Sequence, residues 1–400
     1  MCRVVVLLAV AAFPLAAAAQ TLPAGPVSAF DGRLVVGAEV VTNIGDTDDV
    51  AYFNYTDYEH NALRLVRLAF AANWRPTERL AFVGEVRSED FNQLRAYAAY
   101  VRVRPWLGHA LDIQVGQIPP SFGAYGRLGY QSTDNAFIGY PLAYQYLTNL
   151  RPDAVPATAA DLLIMRARGW RTTYPVGSAE AAPGVPLVSA FRWDTGVQAH
   201  WESAVVDVTG GVTVGTLSDP RVQDHNGGKQ LSGRIGVRPL AGLVAGASAS
   251  RGEFIADNVN TLVPASPGSH AQTAFGADAE YSRDHWLVRG ELVWSRWNIP
   301  FAASQTAQDL DALGAWVEGR YRLTPRIVLS GRADRLGFSR FDAIGVLRPT
   351  WDAPVKRFEA DAGYYVQRNL VLRLAVQHND REGGRVRSRT YFSGQIAYWF

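Results

Sequence analysis

The chain has 400 residues with 39 basic and 37 acidic side chains, a formal net charge of +2. With lysine only at Lys229 and Lys356 and no basic block, nucleic acid is excluded as an expected partner. The single cysteine, Cys2, excludes a disulfide framework, and no run after residue 20 approaches the roughly 18 apolar residues of a membrane-spanning helix.

In chain order, Met1 to Arg3 give a short positive start, Val4 to Leu15 are almost all apolar, and Ala17-Ala18-Ala19 offers a small-residue cleavage site. That layout predicts a signal peptide over 1–19 and export, with 20–32 as a lead-in on the periplasmic side. From residue 33 to 400 no linker-like change of composition appears, so one large closed unit is expected.

The governing signal beyond that point is a period of two. In WLVRGELVW, Trp286, Val288, Gly290, Leu292 and Trp294 oppose Arg289, Glu291 and Val293; in LVLRLAVQH, Leu370, Leu372, Leu374 and Val376 oppose Arg373 and Gln377. Such alternation predicts strands with one apolar and one polar face. About sixteen segments qualify, near 33–43, 63–74, 80–90, 94–104, 111–117, 188–201, 204–216, 230–238, 243–252, 271–282, 286–297, 312–323, 327–338, 357–367, 370–379 and 389–400. Tight connections at Arg75-Pro76-Thr77, Arg104-Pro105-Trp106, Arg238-Pro239-Leu240, Ser282-Arg283-Asp284, Thr324-Pro325 and Gln367-Arg368-Asn369 alternate with long polar ones, among them Ile299 to Asp311.

An even strand number with short turns at one end and long loops at the other predicts an all-β, up-and-down antiparallel barrel. Some sixteen strands leave an interior too wide for side chains to fill. The apolar faces therefore point outward to lipid and the charged faces inward to water, with no unpaired sheet edge in hydrocarbon. A transmembrane barrel is the expected fold. Its lumen wall would carry Arg102, Arg104, Arg234, Arg289, Arg320, Arg332 and Arg373 against Asp278, Glu280, Glu291 and Glu318, with further acids at Asp112, Asp207, Asp334, Glu359 and Asp361.

The last strand, YFSGQIAYWF, places Phe392, Gly394, Ile396, Tyr398 and Phe400 on the lipid face. With its terminal Phe it resembles the C-terminal assembly signal of bacterial outer-membrane proteins. The resemblance implies outer-membrane lipid and the outer-membrane assembly machinery as partners, and the bacterial outer membrane as location.

One connection is out of proportion, running from about 118 to 186. Loops of that length are usually functional. Within it, PATAADLLIMRARG predicts a short helix with Thr158 as cap, Asp161 three residues on, Arg166 and Arg168 in the last turn and Gly169 as its end. The stretch VGQIPPSFG, Val115 to Gly123, resembles the strand-and-loop element of phosphate-selective-type porins. In that family the third loop folds into the lumen and narrows it, and basic residues select anions. The resemblance thus implies a passive diffusion channel for small ions or hydrophilic solutes, a homotrimeric assembly of the kind common among such porins, and a pore constriction at Arg127, Arg151, Arg166, Arg168 and Arg171. Two departures stand against a phosphate site: lysines are almost absent, and Asp134, Asp153 and Asp161 share the loop. Each arginine can equally be a structural partner of a carboxylate. A barrel filled by its own loop, serving as a surface-binding or structural protein, therefore remains the alternative.

No enzyme is expected. The seven histidines show no HxxxH or HExxH spacing, so no metal site is expected either. The acidic stretch NIGDTDD does not follow a calcium-loop order and reads as a solvated loop, and no cofactor is called for.

Overall fold

The computed structural model describes residues 23, 25–50, 52–56, 59–128, 134–189, 192–224, 227–263, 270–303, 306–341 and 348–400, with backbone alone at 127, 128 and 306. The expected signal peptide, 1–19, lies outside the described residues. A short strand, β1 (Val27–Ala29), leads into β2 (Leu34–Gly45), β3 (Val66–Trp74), β4 (Leu80–Glu89), β5 (Gln93–Val103) and β6 (Leu111–Ile118). The long connection that follows carries helices α1 (Tyr125–Leu128), α2 (Leu142–Gln145) and α3 (Ala159–Met165) and the two-residue strands β7 (Ala154–Val155) and β8 (Val176–Gly177). The sheet resumes as β9 (Asp194–Glu202), β10 (Val206–Thr213), β11 (Gln230–Leu240) and β12 (Leu243–Glu253), then, after helix α4 (Asp257–Asn260), as β13 (Ala271–Arg283), β14 (Trp286–Phe301) and β15 (Thr306–Arg322). It ends with β16 (Ile327–Phe338), β17 (Val355–Gln367), β18 (Leu370–Arg381) and β19 (Ser388–Trp399).

Strands β2 to β6 and β9 to β19 form one closed antiparallel barrel of sixteen. The seam joins the last strand to the first: Ser393–Trp399 pairs with Glu39–Gly45, and Phe400 exchanges two backbone hydrogen bonds of 3.0 Å with Ala38. Below that seam β1 takes the remaining edge of β2, Val27 lying opposite Val36. Closure gives every barrel strand a neighbour on both sides, which is what an apolar surrounding demands, although β5 meets β6 only over Ala99–Val103, where the long loop departs. The turns 75–79, 104–110, 203–205, 241–242, 284–285, 323–326 and 368–369 gather at one end, and the longer loops at the other.

The wall is inverted relative to a soluble barrel. Large apolar side chains face outward and are exposed, such as Leu374 (71%), Phe392 (62%) and Phe358 (59%), while Glu318 and Arg332 on the inner face are 1% and 3% exposed. Outward aromatics cluster towards the turn end, where Trp74 stacks on Phe82 at 5.2 Å and Trp286 lies 4.5 Å from Tyr321. Phe392, Ile396 and Tyr398 take the outward side of β19, followed by Phe400, with Ser393, Gln395 and Ala397 buried between them.

Three boundaries differ from the sequence reading. Ile299 to Asp311 is not a long loop, because β14 and β15 continue to Phe301 and from Thr306, paired through Pro300 opposite Ala307. Outward ion pairs between Arg296 and both Asp309 (3.4 Å) and Asp311 (2.6 Å) brace this water-compatible extension, which needs no apolar face and so gave no alternation. The Arg238-Pro239-Leu240 turn lies instead at 241–242. Pro239, with no N–H to donate, occupies a register shift between Val237 and Leu240. The long connection spans 119–193, not 118–186, since Leu187 and Val188 are fully buried in the loop's own cluster and pair with no strand.

Inner wall and the long loop

The inner-face charges are organised by strand register. Arg289 on β14 meets Glu318 on β15 at 2.5 Å, and Glu318 also receives Arg320 (3.3 Å) and Arg332 (3.5 Å). Arg332 in turn reaches Glu359 on β17 at 2.6 Å. On the other side Arg234 bridges Asp207 (3.1 Å) and Asp278 (2.6 Å), Arg104 forks onto Asp112 at 2.9 and 3.1 Å, and Arg373 donates to Gln395 at 2.5 Å. Arg102 and Glu280 face inward half-buried. These side chains share the inner face of the wall.

The first part of the long loop, from Ser121 to Thr148, is tied to that same inner face by its backbone. The N–H groups of Ile138, Gly139 and Leu142 donate to Asp361 (3.1 Å), Glu359 (3.2 Å) and Asp334 (2.5 Å). Arg332 Nη2 donates to Gly139 O at 2.8 Å and Tyr144 Oη to Glu291 at 2.6 Å, while Gly123 N–H reaches Ser248 Oγ at 2.9 Å. Carboxylates that alternation assigns to a wet wall thus each receive a loop amide on one oxygen, while Oδ1 of Asp334 and of Asp361 stay buried without a hydrogen-bond partner among the described residues. Buried charges persist only with such partners.

The sequence reading overlooked Arg357, fully buried on β17. Its guanidinium donates to Asn379 Oδ1 (2.7 Å), Tyr140 O (2.9 Å) and Phe53 O (3.0 Å), so one cation clamps the 46–65 loop, the long loop and β18. Its inward position at the start of β17 follows from the alternation of Phe358 and Ala360; its partners do not.

The rest of the loop forms a lobe at the loop end. The capping box is present, Asp161 N–H reaching Thr158 Oγ1, but α3 stops at Met165. Arg166 is its C-cap and Arg168 lies beyond, so neither sits in the last turn; Ala167 takes a left-handed φ of 61°. Arg166 donates to Thr350 Oγ1 at 2.8 Å. Arg151 is enclosed by the lobe, donating to Asp153 and to the carbonyls of Thr172 and Glu180, both at 2.6 Å. Arg168 and Arg171 are exposed, Arg171 lying 6.0 Å from the Trp170 ring, and the side chain of Arg127 is outside the described residues. The four loop arginines whose side chains are described are therefore not gathered at one ring.

The lobe hangs from a neck where Thr148 N–H donates to Val185 O and Val185 N–H to Leu150 O, both at 3.0 Å. Gly184 closes it: a Cβ there would lie 1.7 Å from Thr148 O. Gly184→Ala is expected to loosen the neck by about 1–3 kcal/mol, the usual cost of forced overpacking. Faster proteolytic cleavage within 150–184 of the assembled barrel checks this.

Two loop carboxyls are buried, and burial pushes both up to about 6. Asp48 accepts from Tyr391 Oη (2.5 Å) and Asn54 N–H (2.6 Å); Asp352 accepts from the N–H groups of Ala353, Ala167 and Asn149 at 2.7–2.9 Å. Because the docked state holds these protons more tightly than a free loop, docking is strongest below the ordinary value of 3.8 and weakens as pH rises towards 6. Hydrogen exchange in 149–167, corrected for intrinsic rates, should show more protection at pH 5 than at pH 7.5. Asp352→Asn should flatten that difference.

Two cavities lie on the opposite side, one reached by β5 and β6 and the other by β4 to β6. One of about 650 Å³ at the loop end is bordered by Arg95, Tyr97, Gln117 and the neck at Gly184 and Val185. The other, about 600 Å³ at the turn end, is lined by Arg33, Arg75, Arg79, Arg102 and Arg104 against Asp31, Glu78 and Asp112.

No family model and no curated protein matches the sequence. Among solved structures the chain is similar to an anion-selective porin from Comamonas acidovorans (TM-score 0.55, 10% identity, 92% of this chain and 99% of that chain). It folds as a porin-type barrel. Similar likenesses extend to Salmonella typhi OmpF in complex with daunomycin (TM-score 0.55, 11% identity, 94% and 100%) and to OmpT, an outer membrane protein of Vibrio cholerae (TM-score 0.54, 11% identity, 92% and 98%). These identities carry the fold, and the porin-type barrel with its long loop after β6 is where the functional argument starts.

Proposed function

We propose that this chain is a bacterial outer-membrane diffusion channel for small hydrophilic solutes. The carrying observation is the inverted wall, apolar outside and charged inside, closed by sixteen strands; a surface of that kind is stable only in a bilayer. The long loop descends into the lumen, covers the charges of β14 to β18 and narrows the passage. Solutes cross along β4 to β6, between the cavity at each end. The turn-end cavity, with five arginines against three carboxylates, supports a mild preference for anions. Phosphate selectivity has only the short VGQIPPSFG resemblance behind it. Flux is passive, and no covalent step is asked of any residue.

Planar-bilayer recording of the intact protein tests this reading. Discrete conductance steps, with a reversal potential in a salt gradient that favours anions, are expected. Absence of steps from correctly assembled protein would overturn it in favour of a barrel filled by its loop, the reading that the fully buried Arg332 and Arg357 would then support.

A further inference from the structure

On the outward face of β14 to β18, successive cross-strand rows show an unusual order. One row runs Val288, Gly319, Gly331, Ala360, Val376, so that two glycines and an alanine lie between flanking valines. A Cβ added to Gly319 would meet nothing within 4 Å, and one on Gly331 only a backbone oxygen at 4.0 Å. The glycines therefore answer no packing need inside the wall, although glycine weakens a strand interior and often marks close approach by something external. They floor an outer-face groove of about 490 Å³, bordered by Val317, Phe358 and His378.

The next row towards the loop end is Val317, Ala333, Phe358, His378, and the row after it sets Arg335 directly opposite Lys356. Like charges facing each other across strands are destabilising. Both are exposed, and neither makes an ion pair within 4.0 Å among the described residues; Asp380, opposite Lys356 on β18, is the one carboxylate in that row. His378, hydrogen-bonded through Nδ1 to Thr390 Oγ1 at 2.8 Å, stands between groove and cations.

We propose that this groove and its basic rim form a binding site for a phosphorylated lipid of the leaflet on the loop side. An acyl chain fills the channel over Gly319 and Gly331, and the phosphate is shared by Arg335 and Lys356. An apolar trough ending in a cation pair matches the two halves of such a molecule, whereas inorganic phosphate would gain nothing from the trough. The proposal rests on the bilayer placement above but not on conduction.

Native mass spectrometry of the full, detergent-solubilised protein, with dioctanoyl phosphatidic acid as probe, tests it. Phosphatidic acid should bind, while dioctanoylglycerol and inorganic phosphate at equal concentration should not. Gly319→Leu with Gly331→Leu, which fills the trough, and Arg335→Gln with Lys356→Gln, which removes the charge, should each weaken binding by roughly tenfold. Single-channel conductance should be unchanged in the rim variant, which separates this result from any failure of the channel reading. Unaltered probe occupancy in the rim variant would overturn the proposal. So would inorganic phosphate binding as tightly as the lipid, or a trough variant that changes oligomeric state while keeping the probe.

Discussion

Arg332→Met should leave the barrel assembled but release the long loop from the wall, lowering the free energy of loop release by about 3–5 kcal/mol, the usual cost of removing one partner from a buried ion pair. Arg332 binds Glu359 and Glu318 on the neighbouring strands and donates to Gly139 O on the loop. Without it Glu318 keeps Arg289 and Arg320, but Glu359 retains only the Gly139 N–H and a long contact of 3.5 Å from Gln377. The uncompensated charge then has to reach water, and the loop stem is what must move to admit it. The sixteen-strand ladder has its own backbone hydrogen bonds and does not depend on this pair. Two measurements decide: the thermal midpoint of loop protection should fall, and channel noise should rise. If both stay at wild-type values, the stem is held by its aromatic packing and not by the charge network.

Alternation along the strands made the barrel legible, because every inward–outward step follows from a period of two and a sixteen-strand closure has one chemically tolerable orientation. What alternation cannot carry is depth. Arg289, Glu291 and Glu318 read as water-lining because the pattern reports only which face they occupy, whereas the loop segment 121–148 supplies the amides and the Tyr144 hydroxyl that cover that face. Those contacts join residues about 150 or more positions apart and have no local signature. Arg357 was hidden for the same reason, since two of its partners are backbone carbonyls. Asp48 sat in a stretch that read as solvated loop and Asp352 in one with no local signature, and only the docked geometry buries them. The capping box at Thr158 and Asp161 was visible because its chemistry is local; the helix end was not, because Ala167 turns left-handed to present its N–H to Asp352.

Excision of residues 150–184 should give the largest functional change, a several-fold larger single-channel conductance. The cut is set by the neck: Thr148 and Val185 are hydrogen-bonded neighbours, so the ends can be rejoined without pulling on the stem. Removed with the segment are Arg151 and its partners, helix α3 and the β7–β8 pair, together with three backbone bonds that anchor the lobe to other loops, Pro152 O to Ala256, Pro156 O to Ala302 and Ala157 O to Ala303. Pro152, Asp153 and residues 182–184 border the loop-end cavity, so their loss should widen the passage proposed above beside β5 and β6. The stem keeps its bonds to Asp334, Glu359 and Asp361, and the ion preference proposed for the turn-end cavity, with Arg75, Arg79 and Arg102, should be retained. A wider channel with an unchanged reversal potential would place the diameter limit in the lobe and the charge filter below it. If conductance does not rise, the limit lies in the stem, and releasing Arg332 would then widen the pore where excision had not.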